Sequence, residues 1–128
     1  MSYIKYTLEY PLRTSQSVLY RRISTPAGLS EWFADNVTIK ENILTFYWEG
    51  SEERAKILKL KKGDFVKYKW LDNDDPNDNY FELVIQIDDM TKDISLIITD
   101  FAEDEYEKEE GKLLWDKQIE NLKSAIGI

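Results

Sequence analysis

Eight aromatic side chains stand out as walls for a ligand: Trp32, Phe33, Phe46, Trp48, Tyr68, Trp70, Phe81 and Trp115, with Gln118 beside the last of them in sequence. Small-molecule sites need aromatic and aliphatic walls with a few polar anchors. The competing reading is that each ring simply fills a core, since large aromatics bury a large area. Trp48, Trp70 and Trp115 are bulky, so a small or collapsed pocket is expected. Asp100 is the carboxylate of most interest, as a polar anchor. It shares strand parity with Ile94, Leu96 and Ile98, so strict alternation aims it at the same face as those apolar residues. A buried, unpartnered carboxylate shifts its pKa upward, which is how a general acid or base is prepared. Alternatively, alternation breaks at the strand end and Asp100 accepts backbone N–H bonds near the following helix.

Other chemistry finds little support. The chain has neither Cys nor His. That excludes disulfides, thiolate nucleophiles, imidazole metal ligands and a conventional triad. The serines lie in no Gly-x-Ser-x-Gly elbow, and five scattered glycines make no phosphate loop. Asp72, Asp74, Asp75 and Asp78 invite a calcium reading, but an EF-hand needs Gly at its sixth position and Glu at its twelfth. From Asp72 those positions hold Asn77 and Leu83, and from Asp74 they hold Asn79 and Ile85, so a solvated hairpin loop is expected. No metal and no cofactor is implied. The acidic run from Glu103 to Glu110 reads as the solvated start of a helix, or as a surface for a basic partner.

At 128 residues the chain is expected to be one domain, residues 1–128. Its 25 acidic and 17 basic residues give a net charge of −8. Such a chain repels phosphate backbones and anionic lipid surfaces, so no nucleic-acid partner is expected. Lys56, Lys59, Lys61 and Lys62 are read as answered by the neighbouring Glu52, Glu53 and Asp64. No apolar run is long enough to span a membrane. The alternating N-terminus lacks the apolar core of a signal peptide, so a cytoplasmic location is expected.

The elements that must position these residues follow from periodicity. Ile4, Tyr6, Leu8, Tyr10 and Leu12 alternate with polar residues as a half-buried strand. Ser15 or Thr14 caps a short helix carrying Val18, Leu19, Arg22 and Ile23. Thr25 then caps a second, with Pro26 in its first turn and Leu29, Trp32 and Phe33 on one face through Phe33. From Val37 to Phe101 the period is two, broken by turns at Glu41-Asn42, Gly50-Ser51, Lys62-Gly63-Asp64, Asp72–Asn79 and Asp88–Asp93. Short turns between neighbouring strands predict an antiparallel meander. Finally Trp115, Ile119, Leu122 and Ile126, widened by Leu114, Gln118 and Ala125, form the stripe of a long helix over 106–125. Gly127 is placed to end it.

Strand, two short helices, about six antiparallel strands and a long last helix: this order resembles the helix-grip fold of the START-like (SRPBCC) superfamily. The run Thr25, Pro26, Leu29, Trp32, Phe33 is similar to the signature of its AHSA1-like branch. Thr99-Asp100-Phe101-Ala102 and Leu114-Trp115-Asp116 resemble a small family of mostly uncharacterised bacterial START-like proteins. The resemblance implies an α+β fold in which a curved antiparallel sheet of six to seven strands wraps around the C-terminal helix, with a cavity between them. It spans a range of roles, from lipid and hormone carriers through aromatase/cyclases to co-chaperones, so it does not select one. The expected function is non-enzymatic binding of a small apolar or amphipathic molecule between sheet and helix. A co-chaperone-type interaction module with a protein partner is the alternative, and a cyclase-like enzyme using carboxylates the third.

Overall fold

A computed structural model describes residues 3–71 and 79–128 of the chain. Residues 72–78, which hold the aspartates considered for calcium, lie outside the described residues. Seven strands form one antiparallel sheet: β1 (Ile4–Leu12), β2 (Asn36–Lys40), β3 (Ile43–Trp48), β4 (Ser51–Lys61), β5 (Phe65–Trp70), β6 (Phe81–Ile87) and β7 (Ile94–Ala102). Their order is β1-β7-β6-β5-β4-β3-β2, so the first two strands occupy opposite edges. The connection between them must therefore cross the sheet. It does so as α1 (Gln16–Ser24) and α2 (Pro26–Leu29). The long helix α3 (Glu105–Ile126) packs against β1 and β7. This is the α+β helix-grip arrangement.

Local chemistry sets the helix boundaries. Ser15 Oγ accepts from the Val18 N–H, and Thr25 Oγ1 accepts from the Gly28 N–H at 2.9 Å. Asp104 caps α3 by accepting from the Glu107 N–H, while the Glu107 carboxylate reaches back to the Glu103 N–H. The second contact follows the reciprocal logic of a capping box. Gly127, at φ 91°, closes α3 in the left-handed region. The second helix is shorter than its apolar spacing predicts. It ends at Leu29, and two further turns, Glu31 N–H to Gly28 O and Phe33 N–H to Leu29 O, carry the chain on to Phe33.

The core lies on the sheet face covered by the helices. Tyr6, Leu44, Phe46, Ala55, Val66, Tyr68, Phe81, Leu83, Leu96 and Ile98 are buried there from the strands, and Leu19, Ile23, Leu29, Trp115, Ile119 and Leu122 from the helices. Leu114 departs from its expected place in the α3 stripe: it is 62% exposed. On the other face, Lys61 pairs with Asp64 at 3.2 Å. Lys56 and Lys59 instead stand directly opposite Lys69 and Lys67 across the β4–β5 ladder. Proximity in sequence to Glu52 and Glu53 does not pair them, because alternation sends Glu53 to the inner face opposite Phe46.

Candidate functional site

Phe33 is the hub of the ring system. Its centroid lies 5.2–6.4 Å from those of Trp32, Phe46, Trp48, Trp70, Phe81 and Trp115, with Trp32 and Phe46 edge-on and Trp70 and Phe81 stacked. Such offset and T-shaped pairs add about 0.5–1.5 kcal/mol each beyond area burial. The Phe33 carbonyl is equally central: it accepts from Trp48 Nε1 and from Gln118 Nε2, both at 3.0 Å. One backbone oxygen thus ties β3 and α3 to the turn after α2.

Beside this hub lies a cavity of about 400 Å³ between the sheet and α3. Phe33, Trp48, Trp70, Leu114 and Trp115 supply its apolar wall, and Ser51, Glu53, Asp100 and Gln118 its polar positions. Of the residues singled out from the sequence, six therefore stand on the wall: Phe33, Trp48, Trp70, Asp100, Trp115 and Gln118. Phe46, Tyr68 and Phe81 do not; they lie fully or almost fully buried in the core. Trp32 turns away, donating from Nε1 to the Arg22 carbonyl at 2.8 Å. It lines a second, broader groove of about 760 Å³ on the Ser30–Asp35 side of α3, together with Lys117 and Asn121.

Alternation holds through Asp100, so its side chain enters the inner face. The inward carboxylate is partnered, by one backbone N–H and by two side chains. Asp100 Oδ1 accepts from the Phe101 N–H at 2.8 Å, while Oδ2 accepts from Trp115 Nε1 at 2.9 Å and from the Tyr6 hydroxyl at 3.5 Å. Burial nonetheless raises its pKa, with the Glu107 charge adding to the effect and the three hydrogen bonds opposing it. Burial and the Asp100 charge together keep Tyr6 protonated well beyond the usual phenol range. Tyr10 donates to Asp116 Oδ1 at 2.5 Å and is likewise raised, first by burial and then by that carboxylate.

Two wall residues escaped the sequence reading. Ser51 and Glu53 come from β4, whose run of charges hides the alternation; pairing of Phe46 with Glu53 and of Trp48 with Ser51 places them inward. A further requirement was also hidden. A Cβ on Gly111 would lie 2.3 Å from the Tyr6 hydroxyl, so only glycine lets α3 pass the Tyr6–Asp100 contact without a shift. Among the described residues no cluster of His, Cys, Asp and Glu could hold a metal ion, and no helix is long and apolar enough to cross a membrane.

A seven-stranded antiparallel sheet gripping one long helix, with a cleft between them, defines a helix-grip domain. The family model of the START-like superfamily domain matches residues 1–128, and the chain belongs to that superfamily. The solution structure of BfR322 from Bacteroides fragilis is 37% identical, covering 97% of this chain and 91% of that one, with a TM-score of 0.70. The Aha1 dimer from Colwellia psychrerythraea shares the fold at 15% identity, covering 100% and 98% of the two chains with a TM-score of 0.77. CalU16 from Micromonospora echinospora does so at 17% identity, covering 97% of this chain and 75% of that one, with a TM-score of 0.70. No curated protein matches the sequence.

Proposed function

We propose that this protein binds a small apolar or amphipathic molecule, without transforming it, in the cavity between the sheet and α3. The observation that carries this reading is the cavity wall itself: three indoles and a phenyl ring, with Asp100 and Gln118 held in place by hydrogen bonds. Its volume, about 400 Å³, falls toward the lower end of the range for small-molecule sites. The START-like family, which commonly binds hydrophobic ligands, supports the same reading. The test is titration with a neutral apolar fluorophore such as N-phenyl-1-naphthylamine. Saturable 1:1 binding with quenching of tryptophan emission is the expected result. An intact fold with no saturation would remove the proposal.

A second reading has its own observation. On the outer face Phe65, Val84 and Ile97 align across β5, β6 and β7 as a half-buried apolar row. Tyr80 and Phe101 pack edge-on beside it, and Lys67 sits 3.9 Å over the Tyr80 ring. That strip supports an AHSA1-like protein-interaction module. Native mass spectrometry separates the two: co-purified small molecules favour the cavity, and a dimer or captured protein favours the strip. The cyclase-like alternative has one feature in its favour, the raised pKa of Asp100. Both oxygens of that carboxylate are already engaged by donors, which favours an anchoring role over proton transfer.

A further inference from the structure

The cavity carries charge of one sign. Asp100 on β7 and Glu53 on β4 both line it, and no lysine or arginine among the described residues does. Lys117, the nearest basic residue of α3 to the wall residues Trp115 and Gln118 in sequence, faces the neighbouring groove instead. Glu53 is a conspicuous break in pattern. It stands on the inner face, directly opposite the buried Phe46 and two residues from Ala55, which is paired with Trp70. Among the described residues its carboxylate makes no ion pair and no hydrogen bond. Asp100 accepts three hydrogen bonds. A carboxylate has about four acceptor positions, so one remains.

The rest of the wall is aromatic. Trp48 and Trp70 are only half-buried, and their rings meet at 6.4 Å with a 50° tilt, leaving part of each indole turned to the cavity. An aromatic face attracts a cation through its quadrupole, most strongly for Trp, and more so where water is displaced. A neutral ligand would leave the two carboxylates unpaired as it drove water from them, and an anion would be repelled by both. Only a cation with an apolar body satisfies walls and charges together.

We infer that the ligand class of this cavity is an amphipathic organic cation, a protonated or quaternary amine, with its ammonium held between Asp100, Glu53 and the indoles of Trp48 and Trp70. The inference rests on the proposed ligand-binding function and specifies it. The apolar body lies along Phe33, Leu114 and Trp115, and no covalent step is involved.

Three probes of one shape class test this: benzyltrimethylammonium, its uncharged carbon isostere neopentylbenzene, and the anion 3-phenylpropionate. Each is titrated into the wild-type protein, Glu53→Gln and Asp100→Asn, and followed through the four indole N–H signals by NMR. The cation is expected to shift the Trp48, Trp70 and Trp115 signals while leaving Trp32 in place. It should bind about tenfold more tightly than the isostere, a difference of about 1.4 kcal/mol. Each variant should lose most of that preference for the cation over the isostere. Glu53 is exposed, so Glu53→Gln folds even if Asp100→Asn is impaired. Equal or tighter binding of the isostere or the anion at the same three indoles overturns the cation and leaves the cavity standing. Cation binding unaffected by Glu53→Gln overturns the placement. Failure of every probe to move those signals removes the ligand-binding function as well.

Discussion

The corner where α1 meets α2 and the cleft beside α3 are built from similar residues and finished in opposite ways. At the corner, polar groups beside the apolar contacts are paired. Tyr68, fully buried, donates to the Ile23 carbonyl at 2.6 Å, Trp32 donates to the Arg22 carbonyl, and Thr25 both caps α2 and donates to the Arg21 carbonyl. Arg22 pairs with Glu31 and reaches the Ala125 carbonyl, tying the corner to the end of α3. Contact is so close that a Cβ on Gly28 would meet the Arg21 carbonyl oxygen at 2.1 Å. In the cleft, by contrast, Trp48 and Trp70 stay half-buried, Leu114 is turned to solvent, and Glu53 lacks a partner among the described residues. Saturated packing is what stability requires; unsatisfied surface facing a cavity is what binding requires.

Substitutions should respect that division. The largest effect is expected from Ile119→Glu, which attacks the helix both regions share. Ile119 is buried on the sheet-facing side of α3, and the change forfeits about 2–3 kcal/mol of burial while setting a carboxylate among apolar neighbours. A loss of about 4 kcal/mol in urea unfolding is expected, against about 0.5 kcal/mol or less for the exposed Glu120→Ala. Equal midpoints for the two would mean that α3 does not grip the sheet through this stripe.

Gly28→Ala comes next. The atoms in the way are α1 backbone, which cannot swing aside as a side chain would, so a loss of about 3 kcal/mol is expected. Probe binding in the cleft should persist below the unfolding transition. A near-neutral Gly28→Ala would show that the corner is looser than its geometry indicates.

Tyr68→Phe removes one hydroxyl and leaves the Ile23 carbonyl buried without its partner, for about 1–2 kcal/mol. Burial raises the Tyr68 pKa far beyond the usual phenol range. The folded state therefore resists ionisation, and stability falls as pH rises above about 10, the unfolded value. Alkaline unfolding that begins at the same pH with and without Tyr68 would separate this group from the effect.

The smallest effect sharpens the contrast from the cleft side. The pKa of Asp100 is raised on folding, so the folded protein binds its proton more tightly than the unfolded chain. The stability this contributes is complete at low pH and declines as pH rises from the unfolded carboxylate value through the folded one. Asp100→Asn lacks that decline. Its urea midpoint relative to wild type should therefore climb as pH rises past the unfolded carboxylate value of about 4. A flat or falling difference would mean that the carboxylate is not penalised by burial.

Much of this was legible in the chain alone. Period-two runs placed the strands, and caps at Ser15, Thr25 and Gly127 bounded the helices; for Asp100, parity offered only one of two readings. These features are local: they depend on backbone geometry repeating every two or 3.6 residues. The sequence by itself thus determined the elements, their order and the apolar faces they must hide. Tertiary structure decided which aromatics became wall and which became core. Phe46, Trp48 and Trp70 share one strand parity, yet only the two tryptophans border a cavity, because depth beneath α3 is set by how three separated segments pack. It also decided that Glu53 faces inward, that Gly28 is pressed against α1 backbone, and that a Cβ on Gly111 would have to displace the Tyr6 hydroxyl. Those outcomes depend on cross-strand register and close approach between distant segments, which no local period encodes.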